Sequence, residues 1–164
     1  KKYFSAGADK IIIGYKGLLD KKLNREISKI YGNQSIIQSV DFLKKNKSYY
    51  LFSKSGTEKI NHKLEDLLNN EMMNYIGEVF LNNIESDGSL LGFDIEFIKQ
   101  IELITKKPLI VLGGGGSWRH FQEVFDKTSV SAVCTQNIYH FTEESIISLK
   151  RYLLLNDICI REII

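Results

Sequence analysis

The chain has 164 residues, 43% of them hydrophobic and 26% charged, with a net charge of +2. That suits one globular domain, residues 1–164, with a sizeable core. The net charge argues neither for nor against an anionic partner, while the lack of a long basic run and of any apolar run near the ~20 residues of a bilayer span argues against nucleic-acid and membrane partners.

Lys1 to Asp9 carries Ala6-Gly7-Ala8, which reads as a helix end with a glycine stop. The sequence opens without a methionine and with most of that helix missing, so it reads as a truncated chain. Lys10 to Gly14 is a short β-branched run, expected to be a fully buried strand. A helix follows from Leu23 to Tyr31, stopped by Gly32. Ser35 to Phe42 is the second strand, and Asp41 lies at its C-terminal end. Tyr49 to Ser53 reads as the return arm of a hairpin on that strand, ended by Ser55-Gly56-Thr57. His62 to Asn74 is an amphipathic helix, with Leu64, Leu67, Leu68 and Met72 at helical spacing. Glu78 to Ile84 is the third strand. The acidic loop Glu85-Ser86-Asp87-Gly88 follows it, and then Asp94 as N-cap of a helix to Thr105. Pro108 leads into Leu109-Ile110-Val111-Leu112, then into Gly113-Gly114-Gly115-Gly116, with Ser117 as N-cap of a helix to Phe125. Val130 to Gln136 is the fifth strand, and Thr142 is expected to cap a last helix that ends near Leu155.

Regular alternation of strand and helix predicts an α/β fold with a parallel sheet and right-handed crossovers. Five such strands fit either an open doubly wound sheet or part of a barrel. No signal peptide is recognisable. Cys134 and Cys159 fit no metal or redox spacing and read as reduced cytosolic thiols, so neither a metal nor a cofactor is expected.

Several residues are candidates for chemistry. Asp41 is a lone acid at a strand end, solvated in most folds and catalytic in a parallel barrel. The stretch from Glu85 to Gly88 is either a connector or an active-face loop. The four glycines after Leu112 either aim N–H groups at a phosphate or make a tight turn. Lys10 and Glu78 are charges at the starts of two strands and must be paired or hydrated. His62 and His120 fall on expected helices and look solvated, and His140 reads as structural.

These segments, in order, carry a pattern. Gly7-Ala8-Asp9-Lys10-Ile11, Gly32 to Ile37, Val40-Asp41, Gly77 to Ile84, Asp87-Gly88, Gly92-Phe93-Asp94, Pro108 to Gly116 and Tyr139-His140-Phe141 together resemble the synthase (cyclase) subunit of imidazole glycerol phosphate synthase, the HisF-type (β/α)₈ barrel. The resemblance covers the whole chain and corresponds to strands four to eight, so an incomplete TIM barrel is expected, five parallel strands with helices plus a β-hairpin after the second. It implies that Asp41 is a catalytic acid, with a second aspartate on the absent strands. It implies that Asp87, Gly88, Gly113, Gly114 and Asn137 bind a substrate phosphate. Lys10 and Glu78 would gate ammonia at the bottom of the barrel, and Asp9 would face a HisH-type glutaminase partner. The implied activity is that of a cytoplasmic, histidine-biosynthetic lyase in a glutamine amidotransferase complex. Ammonia would attack a phosphoribulosyl substrate, followed by cleavage and ring closure. The fragment alone would be inactive.

The sequence departs from the family at defined places. Gly14-Tyr15 stands for Asn-Thr, and Glu85-Ser86-Asp87-Gly88 for Asp-Arg-Asp-Gly. Leu112 and Asn137 each stand for a serine. The ammonia side is kept while the substrate side drifts. This leaves room for a HisF-like paralogue that converts a sugar acetamido group to acetamidino on a nucleotide sugar in surface-polysaccharide biosynthesis. A non-catalytic half-barrel that works by assembly is the third reading.

Overall fold

Runs of β-branched and aromatic residues set the sheet, and apolar residues at three- and four-residue spacing set the helices that cover it. A computed structural model describes residues 1–45, 48–68, 71–136, 138–141 and 145–161. The strands are β1 (Ile11–Ile13), β2 (Ile36–Lys45), β3 (Ser48–Ser53), β4 (Glu58–Ile60), β5 (Glu78–Asn83), β6 (Leu109–Leu112) and β7 (Ala132–Cys134). The helices are α1 (Lys2–Ser5), α2 (Tyr15–Leu19), α3 (Lys21–Tyr31), α4 (Leu64–Leu68), α5 (Ile95–Ile104), α6 (Trp118–Lys127), α7 (Ile138–Phe141) and α8 (Ile146–Leu155).

β1, β2, β5, β6 and β7 run parallel and neighbour one another in chain order. β2 is the pivot. One of its edges carries β5. The other carries β1 against Ile36–Gln38 and then antiparallel β3 against Asp41–Lys45. The expected hairpin is present and extends by one strand. Lys54, Ser55 and Gly56 all have positive φ and reverse the chain, so β4 returns on β3 instead of the unit ending there.

Burial alternates along the strands with period two. On β5, Val79, Leu81 and Asn83 are buried, while Glu78, Phe80 and Asn82 are half-buried. Val40, Phe42, Val79, Leu81, Leu109 and Val111 form one core cluster with Leu67 and Leu68 of α4, Phe97, Ile98 and Ile101 of α5, and Val124 of α6. The opposite face holds Ile12, Ser39, Asp41, Glu78, Phe80, Asn82, Ile110 and Leu112, aligned across the strands by register. Helices on one face of a parallel sheet in sequential order, with an open opposite face, make this an incomplete (β/α)₈ barrel and not a doubly wound sheet.

Four local expectations need correction. β1 is not fully buried: Ile12 is 57% exposed because its side chain lies on the open face. Tyr15–Leu19 is a helix that the glycine at position 17 hid from the sequence pattern. The helix expected from His62 to Asn74 is α4 followed, after a gap in the described residues, by a 3₁₀ turn at Glu71–Tyr75. The last helix is capped by Ser145, in a reciprocal box with Ser148; Thr142, the expected cap, lies outside the described residues.

Candidate functional site

The register of β2 on β5 sets Asp41 opposite Asn82. Asn82 Nδ2 donates to Asp41 Oδ1 at 3.0 Å, and Ser39 Oγ donates to the same oxygen at 3.3 Å. All three residues are half-buried on the open face. The carbonyl oxygen of Asn82 is buried with no hydrogen-bond partner. Asp41 is therefore held near the C-terminal end of the parallel pairing of β2 with β5, where parallel barrels carry their chemistry. Sequence reading missed the contributions of Ser39 and Asn82. The signal for Ser39 was its spacing of two from Asp41, which places both on one face of a strand.

The loop after β5 is tightly folded. Asn83 Oδ1 accepts from Ser86 N at 3.2 Å, and the Asn83 carbonyl accepts from Asp87 N at 3.0 Å. Asp87 and Gly88 sit exposed at its tip. The glycine turn after β6 packs directly beneath. Gly92 N donates to Gly114 O at 2.7 Å. A Cβ on Gly114 would lie 1.9 Å from Gly92 O, and one on Gly113 would lie 2.5 Å from Asn83 O. With φ near +105 at both, only glycine fits. The fold thus brings the Asp87-Gly88 loop and the Gly113-Gly114 turn into one region beside Asn83. Asn137, the fifth residue expected there, lies outside the described residues.

Ser117 occupies the N-cap position of α6 but makes no capping hydrogen bond with its side chain. His120 was expected to be solvated. It is half-buried instead, with Nδ1 accepting from Gly116 N at 3.2 Å and its ring beside Gly92. His62 lies exposed in the segment before α4, not on the helix. The His140 side chain is outside the described set.

Lys10 and Glu78 form an ion pair at the N-terminal ends of β1 and β5. This pairing accounts for a charge on Glu78, whose side chain is only 21% exposed. Asp9 beside it is exposed. One sheet face therefore carries a charged pair at its N-terminal end and a clamped carboxylate at its C-terminal end.

A second polar cluster is structural. Asp94 caps α5 by accepting from Phe97 N at 3.0 Å, and it also accepts from Tyr49 Oη. Burial pushes the Tyr49 phenol up. Hydrogen bonding to Tyr49 and Glu96 raises the Lys44 ammonium above its ordinary value. These contacts pin β3 to α5. Cys134 and Cys159 are unpaired, and burial pushes the Cys134 thiol up, away from reactivity. Among the described residues, no group of three or more His, Cys, Asp or Glu could hold a metal ion, and no helix is long and apolar enough to cross a membrane.

Comparison with known proteins bears on this arrangement directly. Residues 1–144 match the family described as "Histidine biosynthesis protein". The chain belongs to that family. Its relatives include the imidazole glycerol phosphate synthase subunit HisF of Natranaerobius thermophilus, 31% identical over 93% of this chain and 61% of the relative. The HisF subunit of Buchnera aphidicola is 33% identical over 99% of this chain and 65% of the relative. That of Staphylococcus aureus (strain Newman) is 31% identical over 94% and 62%. The HisF-type resemblance read from the residues is borne out. The chain spans about three-fifths of the length of these curated relatives.

Proposed function

We propose that this chain supplies the acid–base and phosphate-binding part of a HisF-like cyclase subunit. In this reading ammonia from a HisH-type glutaminase enters past Lys10 and Glu78 and reacts at the C-terminal strand ends. The observation that carries the reading is the clamped Asp41 carboxylate on the same face as the Lys10–Glu78 pair. Asp41 moves a proton as ammonia adds to the phosphoribulosyl carbonyl, whose oxygen leaves as water, and as the resulting intermediate is cleaved and closed into a ring. Gly113 and Gly114 free backbone N–H groups for a phosphate, and the first turn of α6, uncapped by Ser117, adds a favourable dipole. Asp87, Gly88 and Asn137 complete that subsite. The reaction belongs in the cytoplasm, as the resemblance implies. A second carboxylate is needed, so the isolated chain is inactive.

The test is ammonia-dependent turnover of the phosphoribulosyl substrate by the full-length protein, with Asp41→Asn beside it. Turnover that is lost in the variant supports the reading, and equal turnover in the variant refutes the role of Asp41.

One observation favours a second acceptor class. Tyr15, at the position where the family places a phosphate-binding pair, is half-buried against the core cluster. A substrate with a single phosphate-bearing end, such as a nucleotide sugar whose acetamido group becomes acetamidino, then fits the site better. Amidination of such a sugar with no turnover of the phosphoribulosyl compound would select this reading over the first.

A further inference from the structure

Asp41 has two carboxylate oxygens in different surroundings. Ser39 Oγ and Asn82 Nδ2 both donate to Oδ1, one from two residues back on the same strand and one from the neighbouring strand. Oδ2 has no donor among the described residues. Donors on a carboxylate oxygen stabilise charge there, so that oxygen is the weaker proton acceptor. The amide of Asn82 is directed by the same contact. Its N–H group is committed to Asp41, and its carbonyl oxygen is left buried without a donor. An unsatisfied buried acceptor is costly and calls for an explanation. Holding the carboxylate supplies one.

We propose that Ser39 and Asn82 are positioning residues that hold Oδ1 of Asp41 and leave Oδ2 as the oxygen that exchanges a proton with the substrate. This rests on the reading of Asp41 as the acid–base group. Several ionisable groups on neighbouring elements are engaged elsewhere, while Lys45, Glu85 and Asp87 are exposed to solvent. Glu78 pairs with Lys10 at the far end of β5, and Lys59 of β4 lies 3.8 Å over the Tyr50 ring of β3. Cys134 is on β7, two strands beyond Asn82. Lys44 is held by Asp94 and Glu96, and Tyr15 of α2 packs on the core. The two neutral donors therefore decide which oxygen of Asp41 is held and which is left open.

The test uses the full-length protein with ammonium salt as nitrogen donor and the acceptor that it turns over. Asn82→Leu is expected to lower kcat by about 10- to 100-fold, with KM changed by less than about threefold. Ser39→Ala should act in the same direction and less. Asn82→Thr keeps a donor on a strand-compatible residue and should restore most of kcat. Denaturant unfolding of Asn82→Leu is expected to match the unsubstituted protein, which separates a positioning loss from a loss of fold. An unchanged kcat in Asn82→Leu overturns the proposal, and so does a fall in kcat that Asn82→Thr does not restore. Normal turnover in Asp41→Asn would instead sink the reading of Asp41 itself, whatever the Asn82 variants do.

Discussion

On the helix-covered face of the sheet, Val79, Leu81, Leu109 and Val111 are at most 3% exposed and belong to one core cluster. Their immediate neighbours along the same strands, Glu78, Phe80, Asn82, Ile110 and Leu112, are half-buried on the opposite face. The first face is mostly hydrocarbon, with the buried amides of Gln38 and Asn83 towards its two ends. The second mixes an ion pair, a carboxylate, an amide and apolar side chains. Since side chains alternate with period two, a single strand serves both tasks without compromise. The comparison teaches where substitutions should act: stability on one face, chemistry on the other.

The strongest stability effect should come from the covered face. Leu81→Ala should cost about 3 kcal/mol, since the side chain is fully buried among α4, α5 and neighbouring strands. Chemical denaturation of the full-length protein checks this, and a loss as small as that of a surface substitution would break the distinction between faces. Gly114→Ala comes next, at about 2 kcal/mol, because the added methyl meets Gly92 O in a left-handed backbone. It sharpens the comparison by showing that the turn above the open face is itself rigidly specified. The smallest effect belongs to the exposed pair of Glu123 and Lys127 on α6. Its hydrogen bond with Lys127 holds the Glu123 carboxyl below its ordinary value. The pair is exposed, so it is worth only about 0.3 kcal/mol. That contribution is present above the ordinary carboxylate pKa and fades as pH falls through the lowered one. Glu123→Gln should therefore change the melting temperature slightly at neutral pH and not at all in strong acid.

Much of this division was legible in the residues. The apolar runs at Leu109–Leu112 and Glu78–Asn83 specified strands, and Asp94 specified the start of α5, because each signal is local. The partners of Asp41 were not legible. Asn82 reaches it only through the pairing of strands about forty residues apart in sequence, so no local pattern announces it. Helix α2 was missed for a related reason. Gly17 lowers helix propensity, yet a Cβ there would lie 2.3 Å from Gln38 Oε1, so a tertiary contact decides the residue. The extra strand β4 depends on three consecutive positive-φ residues, two of them not glycine, which composition does not reveal. The role of the glycine turn stood open between a phosphate loop and a tight turn. The contacts of Gly113 and Gly114 show the tight turn, and phosphate binding is the added proposal.

The central claim is that Asp41 works on the open face without contributing to the core. The direct measurement is to compare ammonia-dependent turnover and denaturant unfolding in the same preparation of full-length Asp41→Asn and the unsubstituted protein. The account predicts an unfolding free energy changed by no more than about 1 kcal/mol and turnover reduced by about 10²- to 10⁴-fold. Turnover equal to that of the unsubstituted protein would contradict it.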